Sequence, residues 1–177
     1  SPTLTSPGIE SMTVNASGTA SGTALLPVVL ASTTLKSVTI TGDVASALSV
    51  DLLGATTAAA GSITGNDAAN TVLLTADAAD TIGVDLGAGD DVLSIASVSA
   101  THTLAGGDGT ADTLASAAAI TTTTGANISG FEVVSSAGAS IALPTATNTI
   151  STAVFTATTG AIAGLATGGT VSLAQTA

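Results

Sequence analysis

Cysteine, tryptophan and tyrosine are absent from the 177-residue chain, and its aromatic side chains are limited to Phe131 and Phe155. Without cysteine there is no disulfide, no thiolate nucleophile and no Cys-based zinc site. Positive charge is nearly missing as well: Lys36 is the single Lys or Arg against twelve Asp and Glu, for a formal net charge of −11. Such a chain repels nucleic acid and anionic membrane and lacks the basic patch that either would need. No apolar run reaches the roughly 18 residues required to span a bilayer. The longest, ALLPVVLA from Ala24 to Ala31, is broken by Pro27 and reads as a strand. The opening SPTLTSPG shows no basic segment followed by an apolar one, so no signal peptide is evident, and its abrupt start suggests a piece of a longer chain.

What remains is apolar and small. Hydrophobic residues make up 45% of the chain and the mean hydropathy is +0.66, enough to bury a core within one domain and to exclude disorder. Ala and Thr exceed a third of all residues, and Thr, Ser, Val and Ile favour a pleated surface over helix. Short period-two segments recur: Val38 and Ile40; Leu48, Val50 and Leu52; Ile141 and Leu143; Ile150, Thr152 and Val154; Val171 and Leu173. Gly, Asn and Asp clusters separate them, as at 41–43, 64–67 and 106–109, and no segment makes a convincing amphipathic helix.

Internal repetition selects among all-β architectures. DAANTV (Asp67 to Val72) recurs as DAADTI (Asp77 to Ile82), followed by AGDDVL (Ala88 to Leu93) and GGDGTADTL (Gly106 to Leu114). A period of about nine to eleven residues with Gly and Asp in the turns predicts a stacked parallel β-solenoid, a β-helix or β-roll. Three segments are expected: a Thr/Ala-rich strand segment over 1–64, the repeats over 65–114, and a continuing strand segment over 115–177. A second similarity links PGIESMTV (Pro7 to Val14) with SGFEVVSS (Ser129 to Ser136).

Aligned on the apolar residue that follows, Asn70, Asp80, Asp91 and Asp112 become equivalent, and Asp67, Asp77 and Asp108 fall three or four places earlier on the turn. Stacked at the ~4.8 Å strand spacing, these carboxylates would accumulate along one edge, and with one lysine in the chain a divalent cation is the economical counter-charge. All-oxygen ligands select calcium. Gly87, Gly89, Gly106, Gly107 and Gly109 are expected to allow positive φ, so that carbonyls point into the turn and complete the shell.

These turns resemble the calcium-binding nonapeptide repeats of RTX proteins, G-G-x-G-x-D-x-U-x with U a large apolar residue. LGAGDDVLS matches at Gly87, Gly89, Asp91 and Leu93; GGDGTADTL matches at Gly106, Gly107, Gly109, Asp112 and Leu114 with one residue inserted. GNDAANTV and ADAADTIG resemble degenerate copies. The Thr/Ala/Ser/Gly/Val-rich flanks, the lack of Cys and the ISGFE element are similar to RTX-type S-layer proteins of Gram-negative bacteria. The resemblance implies a right-handed parallel solenoid and secretion by type I machinery to the cell surface. It also implies calcium-dependent self-assembly into a two-dimensional lattice, with a cell-surface polysaccharide as a further partner through another part of the chain. The expected metal residues are Asp67, Asn70, Asp77, Asp80, Gly87, Gly89, Asp90, Asp91, Gly107, Asp108, Gly109 and Asp112, and about three to five ions would largely offset the acidic charge. A type I secreted adhesin module is the alternative.

Other chemistry is poorly served. His102, the single histidine, has no Ser/Asp constellation around it and is expected on a strand surface. Asp85, Asp90 and Asp91 could pair as in a glycosidase, but no Trp or Tyr offers a sugar platform, so no enzyme is expected. Threonine triplets at 39–41, 101–103, 145–147 and 147–149 resemble ice-binding faces, yet their spacing does not repeat from rung to rung. Glu10 and Glu132 are expected to make structural hydrogen bonds.

Overall fold

The computed structural model describes residues 3–5, 7–18, 28–76, 79–137, 139–144, 149–155 and 161–173. Along the chain run β1 (Thr3–Thr5), β2 (Ser11–Ala16), β3 (Val28–Ala31), β4 (Ser37–Gly42), β5 (Ser46–Asp51), β6 (Gly61–Thr64), β7 (Asn70–Thr75), β8 (Ile82–Asp85) and β9 (Val92–Ile95). They continue as β10 (His102–Ala105), β11 (Thr113–Ser116), β12 (Ile128–Ser129), β13 (Val133–Ser136), β14 (Ile141–Ala142), β15 (Thr152–Phe155), β16 (Ile162–Ala163) and β17 (Thr170–Leu173). Apart from the single 3-10 turn Thr124–Asn127, no helix occurs among the described residues. None there is long and apolar enough to cross a membrane.

Every pairing among the described residues is parallel. Odd-numbered strands form a nine-stranded sheet A in the order β1-β3-β5-β7-β9-β11-β13-β15-β17, even-numbered ones a six-stranded sheet B from β12 to β2, and β14 pairs with β16. The chain therefore alternates between two facing sheets and climbs one strand per sheet per turn, a β-solenoid of about six turns. Both sheets run without interruption across residues 64 and 114, so the expected segments are stretches of one stack.

The alternation explains the core. Leu48, Val50, Val72, Leu74, Leu93 and Ile95 of sheet A face inward, and Val38, Ile40, Ile63, Val84 and Leu104 of sheet B meet them, all buried. Fully burying each such side chain contributes about 1.5–3 kcal/mol, which lets a chain with two aromatics hold a thin, regular interior. Leu35, Leu52, Leu86 and Phe131 fill the corners.

Four expectations are corrected. One coil takes about twice the ten-residue period: Thr71, Val92 and Thr113 are direct neighbours in sheet A, so the ten-residue similarity compares half-coils lying in opposite sheets. His102 faces inward at 1% exposure, because it opens β10 in register with buried Ile82; its Nδ1 accepts the Ser99 N–H at 3.2 Å. In β15 the inward residues are Ala153 and Phe155, not Thr152 and Val154. The Ser151 and Thr152 N–H groups both donate to the Glu132 carbonyl, and this bulge-like pairing shifts the alternation by one after Ile150. Val171 continues the inward column of Val134 and Ala153 but is half exposed, with no described strand over it.

The outer face of sheet B is more regular than the triplet spacing suggested. Ser11, Ser37 and Ser62 stack in one column and Thr13, Thr39 and Thr64 in the next, continued by Gly83 and Asp85. Residues 145–148 of the triplets lie outside the described residues, as do Ala24 to Pro27 of the apolar run.

Candidate cation site along the carboxylate ladder

At the entrance of successive sheet A strands stand Ser46, Asn70, Asp91 and Asp112, with Glu132 beginning the next rung. Because each coil there takes about 21 residues, these side chains superpose and bond along the stack. The Ser46 hydroxyl donates to Asn70 Oδ1 at 2.8 Å. Asp91 Oδ1 accepts the Asn70 backbone N–H at 2.6 Å, Asp112 Oδ1 accepts that of Asp91 at 2.7 Å, and Glu132 Oε2 accepts that of Asp112 at 3.0 Å. Each acid thus serves the coil before it, and the expected structural bond at Glu132 is the last rung.

This use of one oxygen leaves the other. Asn70, Asp91 and Asp112 are completely buried, and Asp91 Oδ2 and Asp112 Oδ2 have no hydrogen-bond partner. Burial pushes the Asp91 carboxyl up to about 6, against the pull of the Asn70 bonds, with the nearby Asp112 and Asp90 charges adding to the rise. Asp112 is raised too, first by burial and then by Asp90 and Asp108. The chain's one Lys/Arg side chain is engaged elsewhere, at 3.2 Å from Glu10 Oε1.

The loops that cradle the ladder are built by glycine for two reasons. Gly87, Gly89 and Gly107 take φ of 93°, 101° and 112°, as expected. Gly106 and Gly109 do not; they are glycine for space. A β-carbon on Gly109 would collide with both Asp112 carboxylate oxygens and the Gly89 carbonyl, and one on Gly106 with the Gly130 carbonyl and Asp112 Cβ. The stacked loops also bond to each other: the Asp108 N–H donates to the Gly87 carbonyl at 2.8 Å and the Gly89 N–H to the Asp108 carbonyl at 3.2 Å.

The other expected residues lie apart from the column. Asp67 and Asp108 sit exposed on the loops. Asp90 is exposed and clamps the next coil: its Oδ1 accepts the Thr110 N–H, the Thr110 hydroxyl and the Ala111 N–H at 3.0–3.1 Å, which holds its carboxyl below the usual range. Asp80 precedes β8, a sheet B strand, and lines a hollow of about 350 Å³ with Asp51 and Leu53. It is thus not equivalent to its neighbours in the ten-residue alignment. Asp77 lies outside the described residues.

Two residues escaped the sequence reading. Ser46 starts the ladder, and buried Asn66 donates through Nδ2 to the carbonyls of Gly42 and Val44 in the preceding coil. The sequence alignment already groups Asn70, Asp91 and Asp112, and a 21-residue rather than ten-residue comparison would have separated Asp80 from them.

A cation fits this donor set in one respect and is limited in another. The two orphaned oxygens are fully buried, and a β-carbon on Gly109 would meet both Asp112 Oδ2 and the Gly89 carbonyl, so carboxylate and backbone oxygen, the hard ligands that calcium takes, come close there. No group of three or more Asp, Glu, His or Cys converges among the described residues, so an ion would draw one carboxylate per coil and the rest from the backbone. No protein-family model, curated protein or solved structure matches the chain.

Proposed function

We propose that the chain is a non-catalytic structural segment of a secreted surface-layer protein, a solenoid whose glycine loops bind calcium beside Asp91 and Asp112 and which assembles with copies of itself at the cell surface. The observation that carries this reading is the pair of buried, unpartnered carboxylate oxygens stacked one coil apart. A buried carboxylate oxygen without a donor is costly, and a divalent ion bound between coils removes that cost only when the coils are stacked, so binding is coupled to folding. The RTX-like turns support calcium over other ions. The stacked Ser and Thr columns on the outer face of sheet B and the low proportion of charged residues support a packing role. A second hollow of about 350 Å³, walled by Leu73, Ser94, Ala115 and Ser135, has no ionisable side chain with which to work on a substrate.

Circular dichroism in EGTA and then in calcium tests the metal. Calcium should sharpen the β-spectrum and raise the melting temperature; an unchanged spectrum and melt overturn it. Electron microscopy with calcium tests assembly: two-dimensional sheets are expected, and dispersed rods would favour the adhesin reading.

A further inference from the structure

We infer that Asn70 closes the column of cation sites: its side-chain N–H groups engage the backbone carbonyls that a divalent ion engages beside Asp91 and again beside Asp112, so the column holds two ions and starts one coil after Asn70. This rests on the calcium reading above and assigns it a count and an end.

Asn70 shows what the buried position requires. Its Nδ2 lies 2.6 Å from the Ala68 carbonyl, 3.1 Å from that of Leu86 and 3.3 Å from that of Asn66, while Oδ1 takes the Ser46 hydroxyl. Three backbone oxygens thus converge on a donor with partial positive charge. Around Asp91 the register puts Gly87, Gly89 and Gly106 where Asn66, Ala68 and Leu86 stand around Asn70, since Gly87 abuts the Asn66 carbonyl, Gly89 abuts Ala68, and β8 pairs with β10 through Asp85 and Ala105. There the donor is replaced by a carboxylate oxygen, which has no hydrogen to give. Carbonyls and a carboxylate facing one another make an oxygen cage that attracts a hard cation.

The substitution also explains the loop chemistry. The Asn70 loop, Gly65-Asn66-Asp67-Ala68-Ala69, satisfies its centre with an amide and carries one glycine. The loops before Asp91 and Asp112 carry Gly87 and Gly89, and Gly106, Gly107 and Gly109; Gly106 and Gly109 lie against Asp112, while Gly87 and Gly89 lie against the backbone of Asn66 and Ala68 one coil earlier.

Equilibrium dialysis of the intact chain against calcium, with metal analysis, reads the count. Two ions are expected for the unsubstituted chain, one for Asp91→Asn, one for Asp112→Asn, and three for Asn70→Asp, which keeps the Oδ1 acceptor for Ser46. Far-UV circular dichroism identifies which variants are folded. No calcium on the folded parent overturns the metal reading itself. Two ions on the parent and still two on folded Asn70→Asp overturn the inference and leave that reading standing. Should Asn70→Asp not fold, Asp91→Asn decides: retention of both ions overturns the inference, and loss of one supports it.

Discussion

Glu10 and Lys36 meet at 3.2 Å with 64% and 35% of their side chains in water, whereas Asp91 and Asp112 lie fully buried with backbone N–H groups as their partners. The first is an ion pair that solvent screens, worth about 0–1 kcal/mol. The second has no countercharge from the chain, yet it joins successive coils at the point where the chain enters sheet A. In this solenoid the buried acids that bind the coils together are those without a base, and Gly106 and Gly109 leave the space that Asp112 fills.

The largest effect should therefore come from the loops rather than the charges. Gly109→Ala pushes a β-carbon into the Asp112 carboxylate and the Gly89 carbonyl, where backbone cannot yield cheaply. We expect a loss of about 3 kcal/mol or more in urea unfolding. Gly168→Ala, at φ +83° but with nothing within 4 Å, should lose only about 1 kcal/mol. Equal losses at the two positions would mean that crowding at the ladder is unimportant.

Truncating the acids comes next. Asp91→Ala strands the buried Asn70 N–H and should lower stability by about 1–3 kcal/mol, while Lys36→Met should change it by less than about 1 kcal/mol. A larger loss for Lys36→Met, read from urea midpoints, would reverse the ranking of the two regions.

The third prediction is a pH dependence. Asp91 in the fold is raised from 3.8 to about 6, so folding favours its protonated form. In EGTA, that contribution is complete below about pH 4, fades as pH rises to 6 and is flat beyond. Its ceiling is about 3 kcal/mol, and relaxation of the coils around the buried charge reduces the expected fall to roughly 1–2 kcal/mol. Asp112 is shifted in the same direction and adds to it. Calcium requires the ionised form, so with calcium stability should rise over the same window. Asp91→Asn should make the EGTA profile shallower and leave the part due to Asp112; urea midpoints from pH 4 to 7 check both arms.

The strands and loops that carry this contrast could be read from the sequence, though the contrast itself could not. Period-two alternation located β4 and β5 and their inward Val38, Ile40, Leu48 and Val50, and the Gly/Asp clusters located the loops. Phase was the harder quantity. DAANTV and DAADTI look alike because a strand entrance needs the same residues in either sheet, so likeness at ten residues could not reveal that Asp80 and Asn70 stand on different sheets. His102 was misplaced because a polar residue in a Thr-rich strand reads as outward, while its position follows from register with Ile82. The orphaned oxygens were beyond sequence altogether: which oxygen of an aspartate takes the N–H of another coil is decided by stacking.

Asp90 separates local from global effects and gives the smallest prediction. It is adjacent to Asp91 in sequence but opposite in environment, exposed and holding three donors of the following loop through a single oxygen. Those bonds restrain 110–111, next to the strand entrance at Asp112, and do not support the core. Asp90→Ala should thus leave the urea midpoint nearly unchanged while the Thr110 and Ala111 amides exchange with solvent several-fold faster, an effect confined to one loop. Asp90→Asn retains the acceptor oxygen and should restore most of the protection. If Asp90→Ala instead lowers the midpoint as much as Asp91→Ala, exposed and buried acids contribute alike to coil stacking, and burial ceases to be what distinguishes the ladder.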